Sequence, residues 1–173
     1  MPISAYVKCD AGTLLDLLLR MSNVIVRPAI PADFTPWLPL WDGYNAFYGR
    51  WGPTALPREI TEVTWARFHD PSEPMHAIVA ERDGALIGLA HYLYHRNTIQ
   101  VAATCYMQDL FTAEAARGQG VGRALIDAIT RAAGQEGSPF IYWHTHETNS
   151  VAMKLYDSVA KKTGAIVYRK MAQ

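Results

Sequence analysis

The run Arg117-Gly118-Gln119-Gly120-Val121-Gly122-Arg123 constrains this chain most, because it joins a strand-like segment to a helix-like one through three glycines. Upstream, residues 101–111 are rich in β-branched, aromatic and apolar side chains, the composition of a strand. Downstream, Val121, Leu125, Ile129 and Ala132 recur at helical spacing. Glycine has no Cβ, so the main chain at this junction can approach a ligand closely. The first turn of a helix presents amides without intrahelical acceptors, and the helix dipole adds partial positive charge there. Such a junction favours an anion such as a pyrophosphate, with Arg117 and Arg123 supplying full charge.

Two common phosphate loops do not fit. A Walker A loop needs Lys-Ser or Lys-Thr after its last glycine, and here Val121-Gly122-Arg123 follows Gly120. A dinucleotide fingerprint needs a third glycine three positions after the second, where this chain has Arg123. The pattern that does fit is Arg/Gln-x-x-Gly-x-Gly/Ala, filled by Arg117, Gly120 and Gly122. It resembles the acetyl-CoA pyrophosphate loop of the GCN5-related N-acetyltransferases.

The resemblance extends over residues 24–170. Residues 139–144 read as the splayed strand that follows the loop helix in that family. Thr148-Asn149-Ser150 offers helix-capping chemistry, and Val151, Leu155 and Val159 form a helical stripe. Asn149, Ala152, Leu155 and Tyr156 match the family pattern Asn-x-x-Ala-x-x-Leu-Tyr, and Gly164 marks a turn into a last strand over residues 165–170. The stretch from Tyr142 to Asn149 is most similar to the yeast-type branch, which is associated with histone, polyamine or D-amino-acid acetylation.

The remaining chain reads as strand, two helices, three antiparallel strands, helix, strand, helix, strand. A first strand lies near residues 24–27. Phe34, Trp37, Trp41, Tyr44 and Tyr48 then recur at helical intervals, with Pro36 and Pro39 implying an irregular or late start. A second helix is expected over residues 59–68. Asp83-Gly84 reads as a hairpin turn between residues 76–81 and 85–94, and Arg96-Asn97 as the turn into the long strand before the loop. This is a mixed α/β fold with helices flanking a mostly antiparallel sheet.

At 173 residues the chain has the length of one domain with a substantial core. The expected organisation is a single domain over residues 23–173, preceded by an extension, residues 1–22. That extension is either an upstream start or an N-terminal helix packing on a neighbour. Charged residues make up 18%, below the usual quarter, so extra buried surface is expected in a homodimer. Sixteen basic and sixteen acidic residues cancel, which argues against a strongly basic nucleic-acid-binding face. No apolar run is long enough to cross a membrane, and Asp16 interrupts the short run from Leu14 to Leu19. Two lone cysteines, Cys9 and Cys105, suit a reducing cytoplasm and read as packing residues.

The family resemblance implies roles for particular residues. A bulge in the strand before the loop would let an N–H near Leu110 or Phe111 stabilise the oxyanion formed on the thioester. Neighbouring backbone, including Thr112, would pair with the pantetheine arm as another strand would. Arg117, Gly118, Gln119, Gly120, Val121, Gly122 and Arg123 would hold the pyrophosphate. Tyr156 would protonate the departing thiolate, its other reading being a buried helix tyrosine. Asn149 is a cofactor contact, an N-cap, or both.

The base is harder to assign. Polyamine-type relatives carry Glu-Asp where this chain has Gln108-Asp109, and an amide cannot take a proton. Asp109 is the remaining candidate base, a holder of the cationic amine, or a structural carboxylate bonded to backbone, and a water relay with no dedicated base is the further alternative. Adjacent strand residues face opposite sides, which argues against a simple exchange of roles. His144, His146 and Glu147 invite a metal reading because His-x-His places both rings on one strand face, but no third ligand is evident at diagnostic spacing, so no metal is expected. They read as a polar edge or a proton relay. The aromatic stripe reads mainly as core, with Trp41, Tyr44 and Tyr48 as candidate pocket walls.

The expected protein is thus a cytoplasmic enzyme moving the acetyl group of acetyl-CoA directly to a primary amine. A small amine or amino acid is the preferred acceptor, and a protein amine is the enzymatic alternative. A noncatalytic acyl-CoA sensor is the alternative from another class.

Overall fold

A computed structural model describes residues 23–172, and the expectations for Cys9 and the extension lie outside them. The chain divides into two units, one ending at Trp143 and one beginning at His144. In the first unit, β1 (Ile25–Pro28) leads through a 3-10 turn (Pro31–Asp33) into α1 (Phe34–Phe47). Then come α2 (Arg58–Arg67), β2 (Met75–Arg82), β3 (Ala85–Asn97) and β4 (Gln100–Thr112), followed by α3 (Val121–Gln135) and β5 (Ile141–Tyr142). The sheet order is β1-β2-β3-β4-β5, antiparallel as far as β4 and parallel between β4 and β5.

Local chemistry accounts for most boundaries. Asp83 and Gly84 both take positive φ (52° and 78°), which closes the β2–β3 hairpin tightly. The next turn falls at Thr98-Ile99, two residues later than expected, because Asn97 stays paired with Gln100 and turns the chain with its side chain. Its Oδ1 accepts the Ile99 N–H at 3.0 Å. The irregular beginning expected for α1 is the 3-10 turn, and the helix proper starts at Phe34 with Pro39 inside it. Arg27 secures that entry by pairing with Asp33 at 2.6 Å and with Glu81 on β2 at 2.7 Å. Its hydrogen bond to Asp33 holds that carboxyl below its ordinary range.

The two faces of the sheet are covered differently. On one, Leu89 packs with Trp37, Leu40, Trp41 and Tyr44 of α1 and Trp65 of α2. On the other, α3 buries Val121, Leu125, Ile126, Ile129 and Ala133, so its stripe ends on Ala133 rather than Ala132. Each Val, Leu or Ile so buried contributes about 1.5–3 kcal/mol. Gly88 lets α3 approach: a Cβ there would lie 3.0 Å from Val121 Cγ1, 3.1 Å from the Phe111 carbonyl and 3.2 Å from Leu125 Cδ1.

The unit from His144 onward carries α4 (Ser150–Val159). Asn149 caps it by accepting the Ala152 N–H at 3.4 Å. Ala152, Leu155, Tyr156 and Val159 are half-buried, whereas Val151 is exposed and lies off the expected stripe. Two strand expectations are corrected. The strand expected over residues 139–144 is confined to Ile141 and Tyr142, and residues 165–170 form no strand. Residues 165–170 have local strand propensity, but a strand requires a neighbour for its main-chain groups, and none among the described residues supplies one.

Replacing Gly88 by Val is expected to lower stability by about 1–3 kcal/mol through overpacking against α3. A shifted urea midpoint at unchanged slope would show it.

Candidate active site

The site begins with one extra residue. His91 pairs with Asp109 and Tyr92 with Met107, so Gln108 is left opposite no partner and forms a bulge in β4. The bulge resets the two-residue alternation. Tyr106 pairs with Leu93 and Asp109 with His91, which places side chains three apart on one face of the sheet. The opposite-face objection to Asp109 therefore fails, because alternation does not run through a bulge.

Main-chain direction is reset as well. The Ala113 N–H bonds to the Ile87 carbonyl, on the side of β3. Ladder alternation then turns the N–H and C=O of Thr112 and Leu110 the other way. On that side β5 pairs with β4 only at Cys105 and Tyr106. From Met107 to Thr112 this edge of β4 faces no strand among the described residues, so a ligand chain can lie along it.

At the end of the open edge stands the glycine loop. Gly118 and Gly120 have φ of 72° and 80°, values that favour glycine, and Gly120 is the N-cap of α3. The Ala124 N–H bonds to the Gly120 carbonyl at 3.0 Å, so the Val121 and Gly122 amides precede the first such bond and have no acceptor inside the helix. Val121 is buried beneath the loop, while the position a Cβ would take at Gly118 faces open space. Gln119 fastens the loop: its Nε2 donates to the Ala115 carbonyl at 2.8 Å, and its Oε1 accepts from Arg82 Nη1 at 2.6 Å. Arg117 leans back on β4, donating to the Thr112 carbonyl at 3.3 Å with its guanidinium 5.9 Å from the Phe111 ring centre. Arg123 is exposed on the first turn of α3.

Beside the bulge lies a buried polar relay that the sequence did not reveal. His91 is 2% exposed and Asp109 8% exposed, and His91 Nδ1 lies 2.9 Å from Asp109 Oδ2. Trp37 Nε1 lies 3.1 Å from His91 Nε2. An indole N–H can only donate, so Nε2 accepts and Nδ1 carries the proton to Asp109. The Tyr44 hydroxyl also bonds to Asp109; burial first, then the Asp109 charge, pushes it well above its ordinary range. Asp109 thus has the side-chain partners His91 and Tyr44. A signal existed in His91, an imidazole directly after the apolar run Ala85–Ala90, but its partners come from α1 and β4.

The expected aromatic core is largely present. Trp37, Trp41 and Tyr44 are buried, whereas Tyr48 is 42% exposed at the end of the helix. Asn149 and Tyr156 belong to the second unit, where the Asn149 amide also donates to Thr145 Oγ1 at 3.3 Å. His146 Nδ1 contacts Thr148 Oγ1 at 2.8 Å. Among the described residues, no group of three His, Cys, Asp or Glu side chains is placed to hold a metal ion. Nor is any helix among them long and apolar enough to cross a membrane.

Known proteins share this chain's family and fold. A model of the acetyltransferase (GNAT) family matches residues 37–160. Over 150 residues the chain is 37% identical to the D-amino-acid N-acetyltransferase HPA3 of Saccharomyces cerevisiae, covering 86% of this chain and 91% of that protein. The fold is shared with the ribosomal-protein-alanine N-acetyltransferase of Brucella melitensis, at a TM-score of 0.71 and 17% identity over 86% of this chain and 99% of that one. It is shared equally with AAC(6')-Iy bound to a bisubstrate analogue of CoA, at 0.71 and 18% over 86% and 99%. The chain belongs to the acetyltransferase (GNAT) family and is an acetyl-CoA-dependent N-acetyltransferase.

Proposed function

We propose that this enzyme acetylates the amine of a small acceptor, with amino acids as the favoured class. HPA3, by name a D-amino-acid N-acetyltransferase, supports that choice. The observation that carries the reading is the open edge of β4, bounded by the Gln108 bulge at one end and the glycine loop at the other.

The residue roles follow from chemistry. Gly118, Gly120, Val121 and Gly122 offer main-chain amides to the pyrophosphate, Arg117 and Arg123 add charge, and Gln119 holds the loop in shape. Thr112 pairs with the pantetheine arm, Phe111 supports Arg117, and the Leu110 N–H meets the oxyanion as the amine attacks the thioester carbonyl. Tyr156 gives its proton to the sulfur as the C–S bond breaks, and Asn149 contacts the cofactor from the cap of the same helix. Asp109 takes the amine proton by way of the Tyr44 hydroxyl, which bonds to it.

Residues 23–173 are read as one catalytic domain and residues 1–22 as an extension. A homodimer is proposed because the segment after α4 leaves Ile166, Tyr168 and Met171 between 77% and 90% exposed, which favours a second copy as its cover. A cytoplasmic location fits the buried free thiol of Cys105, and the balanced charge gives no reason to invoke nucleic acid.

A panel of amino acids, polyamines and lysine peptides, assayed by CoA release, is expected to give its highest kcat/KM among amino acids. Fastest turnover of a lysine peptide would overturn the reading. Gly120→Ala forces a left-handed alanine costing about 1–2 kcal/mol, so acetyl-CoA affinity is expected to fall roughly tenfold by calorimetry. Tyr156→Phe is expected to lower kcat by roughly 10²- to 10⁴-fold while acetyl-CoA still binds. Light scattering is expected to find a dimer that becomes a monomer when the chain is cut after Val159.

A further inference from the structure

The end of α1 holds an arginine more firmly than its place in a loop requires. Gly49 takes φ of 75°, and two main-chain bonds close the helix there: Gly49 N–H to the Ala46 carbonyl at 3.0 Å and Arg50 N–H to the Asn45 carbonyl at 2.9 Å. This is the Schellman pattern, which folds the residue after the glycine back over the last turn. Arg50 is therefore set above Asn45, and the side chains join as well. Arg50 Nε donates to Asn45 Oδ1 at 2.7 Å. Asn45 is 4% exposed and donates its own Nδ2 to the Trp41 carbonyl at 2.9 Å, so its amide has one orientation and its oxygen must face Arg50.

Two rings complete the setting. The guanidinium carbon lies 5.7 Å from the Tyr44 ring centre and 5.2 Å from that of Tyr48. With Nε committed to Asn45, the paired η nitrogens are left to present a flat fork. No carboxylate among the described residues lies within ion-pairing distance of it. Arg50 lines a cavity of about 490 Å³ with Asn45, Trp51, Leu56 and Asp42. On the other side, a single tyrosine side chain separates Arg50 from the bulge, because Tyr44 carries Arg50 on its ring and Asp109 on its hydroxyl.

We propose that Arg50 is a specificity-determining residue that binds the carboxylate of an amino-acid acceptor through its η nitrogens. The assignment rests on the small-acceptor reading above and adds to it the group that distinguishes an amino acid from a plain amine. A bidentate guanidinium–carboxylate contact suits the pre-set fork, and the same positive charge repels a polyamine, whose only charges are cationic. Asn45 and Gly49 act through Arg50 and are positioning residues.

The test compares phenylalanine, in both hands, with phenethylamine, which is the same acceptor without its carboxylate. The wild-type enzyme is expected to prefer an amino acid in kcat/KM, and Arg50→Gln to reduce that preference by roughly 10- to 100-fold, mainly through KM. Arg50→Lys, which keeps the charge and loses the fork, is expected to fall between them. A structural effect alone would weaken both acceptors alike, and an unchanged ratio in Arg50→Gln overturns the assignment. If the variants do not fold, the wild-type enzyme still decides: 3-phenylpropionate, a carboxylate without an amine, is expected to inhibit competitively against the acceptor. Absence of both that inhibition and any preference for the amino acid overturns the assignment while leaving small-amine acetylation intact. Failure to acetylate either compound, with acetylation of a lysine peptide, overturns both readings.

Discussion

The extra residue at Gln108 in β4 decides the character of the site. Without Gln108 opposite no partner, Asp109 would share a face with Met107, beneath α3. Its carboxylate would then lie away from His91 and Tyr44. Leu110 and Thr112 would likewise turn their main-chain groups into the ladder with β3 instead of out to the open edge. One inserted residue thus rotates both the side-chain set and the hydrogen-bonding set of everything after it. Half of β4 remains a structural strand, and the other half leaves one edge open among the described residues.

The proposed use of that edge requires the glycine loop beside it, and the seating of α3 ensures this. The helix is held against the sheet by its apolar stripe, and at Gly88 the approach is so close that a methyl group would meet Val121, Leu125 and the Phe111 carbonyl. The same Val121 opens the helix and closes the loop, so burial of one side chain positions the amides around it. Gln119 and Arg82 then tie the loop tip to the end of β2. Stability and binding geometry share the same contacts here.

On the opposite face, α1 is an aromatic wall with polar ends. Trp37 needs an acceptor for its indole proton once it is fully buried, and His91 provides one. That bond selects the imidazole tautomer, which in turn directs a proton at Asp109. At the far end the Gly49 cap returns the chain over Asn45 and carries Arg50 with it. One helix therefore furnishes the support of a buried carboxylate and a fixed cation, separated by Tyr44.

Much of this architecture could be read from residue order. The glycine loop, the amphipathic α3, the Asp83-Gly84 hairpin, the capping Asn149 and the mixed α/β fold depend on interactions within a few residues, and local periodicity reports such interactions directly. The failures have a common cause. A bulge is a mismatch between two strands and has no signature in one of them, so the residue order does not show that alternation is interrupted at Gln108. Residues 165–170 have the composition of a strand, but composition cannot supply the neighbour that a strand needs. The roles of Arg50 and His91, and of Trp37 beyond its place in a helical stripe, cannot be read locally, because each gains its meaning from a partner on another element or from a cap that folds back on itself. What the amino-acid order determined alone was therefore local: turns, helix faces, and a glycine-rich junction that leaves helix-opening amides without intrahelical acceptors. Which carboxylate is buried, which edge is open and which cation is held in place were decided only by tertiary pairing, since those properties belong to contacts between segments far apart in the chain.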